Sequence, residues 1–386
     1  MSLLRRRDAP AGSKVTSIEL FFDLVFVFAV TQLSHALLAE LSAAGALRAL
    51  VLFVAVWWVW IYTAWATNWL ETGHGLVRAL LFLLMLAGIA MAVAIPHAFG
   101  PAGWAFALSV VLAQCGRSAF MIAALRGTAA ANMRSFQRIL CWQALGGAFW
   151  LAGAAWADHR LALWALAAGI EFVSPALSFF VPGLGRSRPT DWDISGEHMA
   201  ERSGCFVIIA LGEALIMTCI AFERAGWGDA PLLALLASFA GSVAMWWIYF
   251  DSGAERGAQA IGEAEVPGRL ARLGYTYLHL PIVAGIVLEA VGDELVLAHP
   301  SGETSRALVL VVVGGAAAFL LGNLAFKSVL AGRLPLSHLV GLALLAGCAA
   351  AGAALGPLAL ALGVTAALVL TATWETGSLR GWRGVP

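Results

Sequence analysis

The sequence predicts an all-α, polytopic transmembrane helical bundle of about twelve spans, arranged as two parallel six-helix repeats. Composition is the first observation behind this. Of 386 residues, 61% are hydrophobic and 12% charged, whereas a soluble domain carries about 25% charged residues. The second is that apolar runs long enough to cross about 30 Å of hydrocarbon recur from end to end, with a mean hydropathy of +0.85. The third is the one-sided placement of Lys and Arg between those runs.

In chain order the runs lie near 17–40, 46–67, 77–98, 103–125, 137–157 and 160–181, then 203–222, 230–251, 270–292, 305–326, 337–355 and 357–376. The first follows "MSLLRRRDAP". It is too long for a signal peptide, carries acids at its head and lacks an A-x-A exit, so it reads as a first span. Counting the loops places Arg5, Arg6, Arg7, Lys14, Arg78, Arg126, Arg134 and Arg138 on one side. Arg186, Arg188, Arg202, Arg256, Arg269, Arg272, Lys327, Arg333, Arg380 and Arg383 fall on the same side, making 18 of the 23 cations. Arg48, Arg160, Arg224 and Arg306 face the other way, and Arg117 sits inside a span. By the positive-inside rule both termini are cytoplasmic.

Net charge is zero, so no basic balance argues for nucleic acid. Five cysteines, all within apolar runs and without a C-x-x-C pair, read as small hydrophobes. The sequence holds no phosphate-cradling G-x-x-x-x-G-K, no C-x-x-C-H and no G-x-S-x-G. Neither ATP hydrolysis nor nucleophilic catalysis is indicated, no cofactor is implied, and the chain is not expected to be an enzyme.

The two halves repeat. "SIELFFDLVFVFAVTQLSH" from Ser17 has its counterpart in "ERSGCFVIIALGEAL" from Glu201. "WWVWIYTAW" from Trp57 is echoed by "WWIYFD" from Trp246, and "LMLAGIAMAV" (84–93) by "PIVAGIVLEA" (281–290). The offsets are about 182, 189 and 197 residues, in the same order. An even number of spans per unit gives a parallel repeat, a plan found among secondary transporters. The expected division is 1–181, a polar Pro/Gly-rich linker at 182–202, and 203–386.

"ELFFDLVFVFAVTQLSH", "HMAERSGCFVIIALGEAL" and "WWIYFD" together resemble the bacterial low-temperature-requirement A family of multi-pass membrane proteins. The matching residues are Glu19, Phe22, Asp23, Gln32, His35, His198, Glu201, Arg202, Gly212, Glu213, Trp246, Trp247 and Asp251. Ser203 and Cys205 depart from the bulkier apolar residues more usual there, as packing positions. The resemblance implies the fold and a location in a bacterial plasma membrane, and names no activity or substrate.

Ionisable groups in hydrocarbon cost roughly 2.5–3.5 kcal/mol even on the gentler scales, so they face the bundle interior or water. Asp23 and Arg117 reach depths of roughly 9 and 12 Å by helical rise and are expected to meet, as a gate or as a folding pair. Glu213 and Glu171 sit near mid-membrane and are the candidates to carry a proton or cation. Gly212 would let a backbone or ligand approach Glu213, and Pro175 would free a carbonyl near Glu171. Glu19, His198, Glu201 and Asp251 form a helix-mouth polar cluster, in which Glu19 and Glu201 suit their helix starts. His198 and Glu201 are three apart, but a carboxylate metal site needs a second such motif, and the sequence has none. His35 and His279 read as buried hydrogen-bonding groups. Glu289, aligned with Ala92 of the other half, is expected at the surface near the outer boundary. Trp57, Trp58, Trp246 and Trp247 serve either as packing or as an aromatic lining for an organic or cationic solute.

Two functions compete. An ion- or proton-coupled secondary transporter, or other ion-translocating protein, follows from the duplicated plan and the intramembrane acids. A non-transporting membrane protein with a sensory or stabilising role uses those charges only to hold helices together. The partners implied are the lipid bilayer and a proton, cation or small solute. Neither the solute nor the oligomeric state is encoded legibly.

Overall fold

The structure is a computed structural model that describes residues 3–5, 14–127, 130–188, 191–192, 194–251, 267–332 and 334–383. Arg6, Arg7, Arg256 and Arg333, the side chains of Arg380 and Arg383, and part of the expected linker (189–190 and 193) lie outside the described residues. The chain divides into two compact units, Met1–Arg202 with Gly262–Arg272, and Ser203–Ile261 with Leu273–Pro386.

Among the described residues every regular element is helical, with only isolated β-bridges at Leu4–Leu70 and Val181–Gly185. Hydrocarbon leaves a single chain segment little alternative, because a helix alone satisfies its own backbone groups. The first unit holds α1 (Ser17–Ala39), α2 (Ala43–Thr67), α3 (Gly75–Ala94), α4 (Gly103–Ala124), α5 (Ala130–Ala155) and α6 (Arg160–Val173). It also takes the first turns of α7 (Gly196–Ala225), so the segment expected as a linker is already helical from Gly196. The second unit holds the rest of α7, α8 (Asp229–Phe250), α9 (His279–Ala298), α10 (Arg306–Ala331), α11 (Leu336–Ala351) and α12 (Pro357–Arg383). A short turn, Pro267–Ala271, and a π-helical stretch, Arg272–Leu278, lead into α9.

All twelve expected runs coincide with helices. Among the described residues, nine of these are long and apolar enough to cross a membrane. The other three are α5, which is less apolar, α6, which has 14 residues, and α9, which carries Glu289, Asp293 and Glu294.

Local chemistry sets the helix ends. The Glu19 carboxylate accepts from the Thr16 backbone N–H at 2.9 Å, the return half of a capping box. Ser42 accepts from Gly45 N at 3.0 Å to start α2, and Ser305 from Leu308 N at 3.1 Å to start α10. Gly332, at φ +64°, ends α10 in the left-handed conformation that glycine adopts without strain.

In the first unit α2 packs against α1, α4 and α6. Trp57, Trp58, Trp60 and Ile61 are all buried, so it is apolar all round and lies at the unit's core. The second unit is built on α9 against α10, with α8 and α12 packed together beside them. A Cβ at Gly285 would lie 2.6 Å from the Phe319 backbone nitrogen, so the α9 and α10 backbones touch there. Small residues at such crossings are the usual basis of helix association in lipid.

Candidate functional site

Among the described residues, three polar clusters hold the expected acids or their neighbours, two in the first unit and one in the second. The first lies where α1, α2 and the start of α7 converge. Glu19 and Asp23, one turn apart on α1, are both fully buried. Arg202 reaches both: Nη2 donates to Asp23 Oδ1 at 2.6 Å, Nε to Oδ2 at 3.1 Å, and Nη1 to Glu19 Oε1 at 3.3 Å. Trp60 Nε1 donates to Asp23 Oδ1 at 2.7 Å, and Thr67 accepts from Arg202 at 3.0 Å. The guanidinium also lies over the Phe22 and Trp60 rings.

His198 completes the set. Asn68 is oriented by Ser195, whose N–H donates to its Oδ1 at 2.9 Å and whose carbonyl accepts from its Nδ2 at 3.0 Å. That same amide nitrogen lies 3.3 Å from His198 Nδ1 and donates to it. Nε2 is then the protonated nitrogen, donating to Glu19 Oε1 at 2.8 Å. With Arg5 3.8 Å from Glu19, the acids are matched in charge. This arrangement is a closed clamp between helices.

The second cluster is centred on Arg117 and Glu171. Arg117 Nη1 donates to Thr63 Oγ1 at 3.1 Å and to the Val59 carbonyl at 3.2 Å, and Nη2 donates to Gln114 Oε1. Gln114 Nε2 then donates to Glu171 Oε2 at 3.1 Å. Trp150 Nε1 donates to Glu171 Oε1 at 3.2 Å. Gln143, with its amide placed to suit its neighbours, accepts from Arg117 at 3.1 Å and donates to Ser118 at 2.5 Å. Arg117 and Glu171 therefore communicate through an amide and make no ion pair. Thr63 and Thr67, one turn apart on α2, set the two clusters roughly 6 Å apart along that helix.

These geometries correct the expected Asp23–Arg117 pair. Among the described residues Asp23 meets Arg202, Trp60 and no other charge partner, while Arg117 meets Gln114, Gln143, Thr63 and a carbonyl. Arg202 was expected in a loop, but it is a fully buried helical residue. Lys327, also expected in a loop, is buried in α10 and donates to both Glu375 carboxylate oxygens at 2.7 and 2.8 Å. Glu19, expected at the polar mouth of its helix, is fully buried and sealed by His198 and Arg202.

The remaining expected residues scatter. Glu201 is exposed and accepts from Val15 N at 2.9 Å. Asp251 belongs to the second unit, where it is exposed and accepts from Thr376 at 2.8 Å. Glu213 is half-buried on α7, and a Cβ at Gly212 would meet no heavy atom within 4 Å, so that glycine marks no close approach. His35 is exposed. His279 is buried, with Nδ1 donating to the Gly274 carbonyl at 2.9 Å and Nε2 accepting from Tyr249 at 2.7 Å.

Trp57 and Trp58 are core residues. Trp58 stacks on Phe172 and donates to the Glu171 carbonyl at 2.9 Å. Trp246 and Trp247 are exposed on α8. Trp247 donates to Thr376 at 2.8 Å and edges an apolar groove of about 600 Å³ between α8 and α12.

The third cluster lies on α9. Glu289 was expected at the surface, yet its Oε2 is closed off from solvent, and the carboxyl group lines a cavity with Asp293, Ser238 and Thr365. Asp293, Ser238 and Gln114 were not singled out by sequence. The legible signal was the E-x-x-x-D spacing, which puts two acids on one helical face in an apolar run.

Residues 14–373 match the family described as Bacterial low temperature requirement A protein (LtrA). The uncharacterized protein RA0937 of Rhizobium meliloti (strain 1021) is 40% identical over 342 residues, which cover 88% of this chain and 83% of that protein. No solved structure matches. The extent of the family match makes the assignment plain: the chain belongs to the bacterial low temperature requirement A family.

Proposed function

We propose that the protein is an ion- or proton-coupled secondary transporter, or in its simplest form an ion-translocating protein, and that it works without an enzymatic step. In this reading twelve spans form two parallel six-helix repeats in the bacterial plasma membrane, with both termini cytoplasmic. The observation that carries the reading is Glu171. Its carboxylate is buried and takes its hydrogen bonds from two neutral donors, Trp150 and Gln114. A carboxylate held in this way can change protonation without breaking an ion pair, as a coupling residue must.

Flux in proteoliposomes under an imposed pH gradient, with a panel of inorganic and organic cations, tests this. Glu171→Gln and Glu213→Gln should fold and lose pH-dependent flux. Wild-type flux no greater than that of protein-free vesicles would overturn the reading. Reporter tags test the topology: one at residue 130 and one at the C-terminus should be cytoplasmic, and one at residue 227 external.

A second reading, a non-transporting sensory or stabilising protein, is favoured by the clamp around Arg202. There Arg202 pairs with both buried acids and Arg5 lies 3.8 Å from Glu19, as expected of charges that only hold helices together. Absence of wild-type flux would select it.

A further inference from the structure

We propose that Glu289 and Asp293 form, with Ser238, Thr218 and Thr365, a binding site for a hard monovalent cation of about the size of Na⁺, in competition with protons. The two carboxyl groups are one turn apart on α9. Ser238 on α8 donates to Asp293 Oδ2, and the Thr218 hydroxyl on α7 lies 3.2 Å from the same oxygen. Thr365 on α12 lines the same cavity, and its Oγ1 donates to the Ala237 carbonyl at 3.1 Å, so its oxygen can still accept. Glu289 Oε2 is buried with no hydrogen-bond partner among the described residues.

Charge is what sets this cluster apart. No Lys, Arg or His pairs with either acid among the described residues, and the nearby Arg224 is engaged by Glu294 at 3.3 Å. Thr218 of α7 and the cavity-lining Ser238, Met245, Val312, Ala316, Val364 and Thr365 are none of them titratable. Two carboxyl groups in an apolar setting need a counter-charge, and the described residues do not supply one here.

The donor set selects the ligand. All donors are oxygens, which suits alkali and alkaline-earth ions rather than transition metals. The cavity is about 20 Å³, room for one water-sized occupant. Mg²⁺ retains several waters in an octahedral shell and Ca²⁺ takes six to eight oxygens, and the space is too small for either shell. A dehydrated monovalent ion fits, and a proton shared between the carboxyl groups is its competitor.

This deepens the transport reading by naming the ion, and binding is measured without flux. Na⁺ binding with no flux defeats the transport reading alone, whereas flux with no Na⁺ binding defeats this site alone. The test is equilibrium binding of radiolabelled Na⁺ to the purified full chain in detergent, with thermal unfolding in NaCl against choline chloride at equal ionic strength. Na⁺ should bind saturably, raise the Tm by several degrees and bind more weakly as pH falls. Glu289→Gln and Asp293→Asn should each weaken binding by about tenfold or more, and the milder Ser238→Ala by a few-fold. Wild-type protein with no bound label and no Na⁺-specific shift at any pH overturns the proposal. So does stabilisation by Ca²⁺ or Mg²⁺ alone, or wild-type affinity in Glu289→Gln. If the carboxyl variants fail to fold, wild-type binding and Ser238→Ala still decide it.

Discussion

The α1 acids and the α9 acids share a spacing and differ in their company. Glu19 and Asp23 are four residues apart, as are Glu289 and Asp293. The α1 pair is closed by Arg202, His198 and Trp60, whereas among the described residues the α9 pair meets hydroxyls and no cation. Identical spacing thus yields a clamp in one unit and an open carboxyl pair in the other. Within the second unit, Lys327 and Glu375 show that a buried pair can be matched there too, so the open pair does not reflect a general shortage of cations. A matched set resists change, because removing either partner strands a charge. An open set can accept and release a cation at little structural cost.

The sharpest way to break this comparison is to open the clamp. Arg202→Met strands Asp23 and Glu19 and should cost about 3–5 kcal/mol, read as lost expression or a lower Tm. Asp23→Asn should relieve part of that loss, with a coupling of about 1–3 kcal/mol, while Asp23→Asn and Arg117→Gln should add without coupling. Coupling of Asp23 to Arg117 instead would place the charges in a different pairing. Next in size, Gln114→Leu removes the amide between Arg117 and Glu171 and leaves both short of a partner, for about 2–3 kcal/mol by thermal unfolding. A neutral result there would mean that the two charges reach each other without it. Smallest, Trp60→Phe deletes the indole N–H to Asp23 and keeps most of the packing. It should cost about 1.5 kcal/mol in wild type and much less in an Asp23→Asn background.

The helices were legible because a membrane demands long apolar runs, and each expected run coincides with a helix. Yet α6 ends at Val173 where 181 was expected, and α7 begins at Gly196 where 203 was expected. Partners were not legible. Asp23 and Arg202 are 179 residues apart, and helical periodicity reports only neighbours on the same helix. Arg202 also sits in the polar stretch "HMAERS", which reads as a loop until α7 is seen to begin at Gly196. Glu289 is half-buried with one carboxyl oxygen shielded, where alignment with Ala92 suggested a surface position. That comparison conveyed helix register and could not convey the cavity formed by α8, α10 and α12. Glu213 drew attention through depth alone, which is a weaker guide than the set of groups around a carboxylate.

The central claim is that the open acids work and the closed acids hold. It is tested most directly by Na⁺-dependent flux in proteoliposomes, normalised to folded protein, for wild type, Glu289→Gln and Arg202→Lys. The account predicts that Glu289→Gln folds and loses flux, and that Arg202→Lys is less stable yet keeps flux within about twofold of wild type per folded molecule, a change worth only about 0.4 kcal/mol. Wild-type flux in Glu289→Gln, together with loss of flux in folded Arg202→Lys, would contradict it.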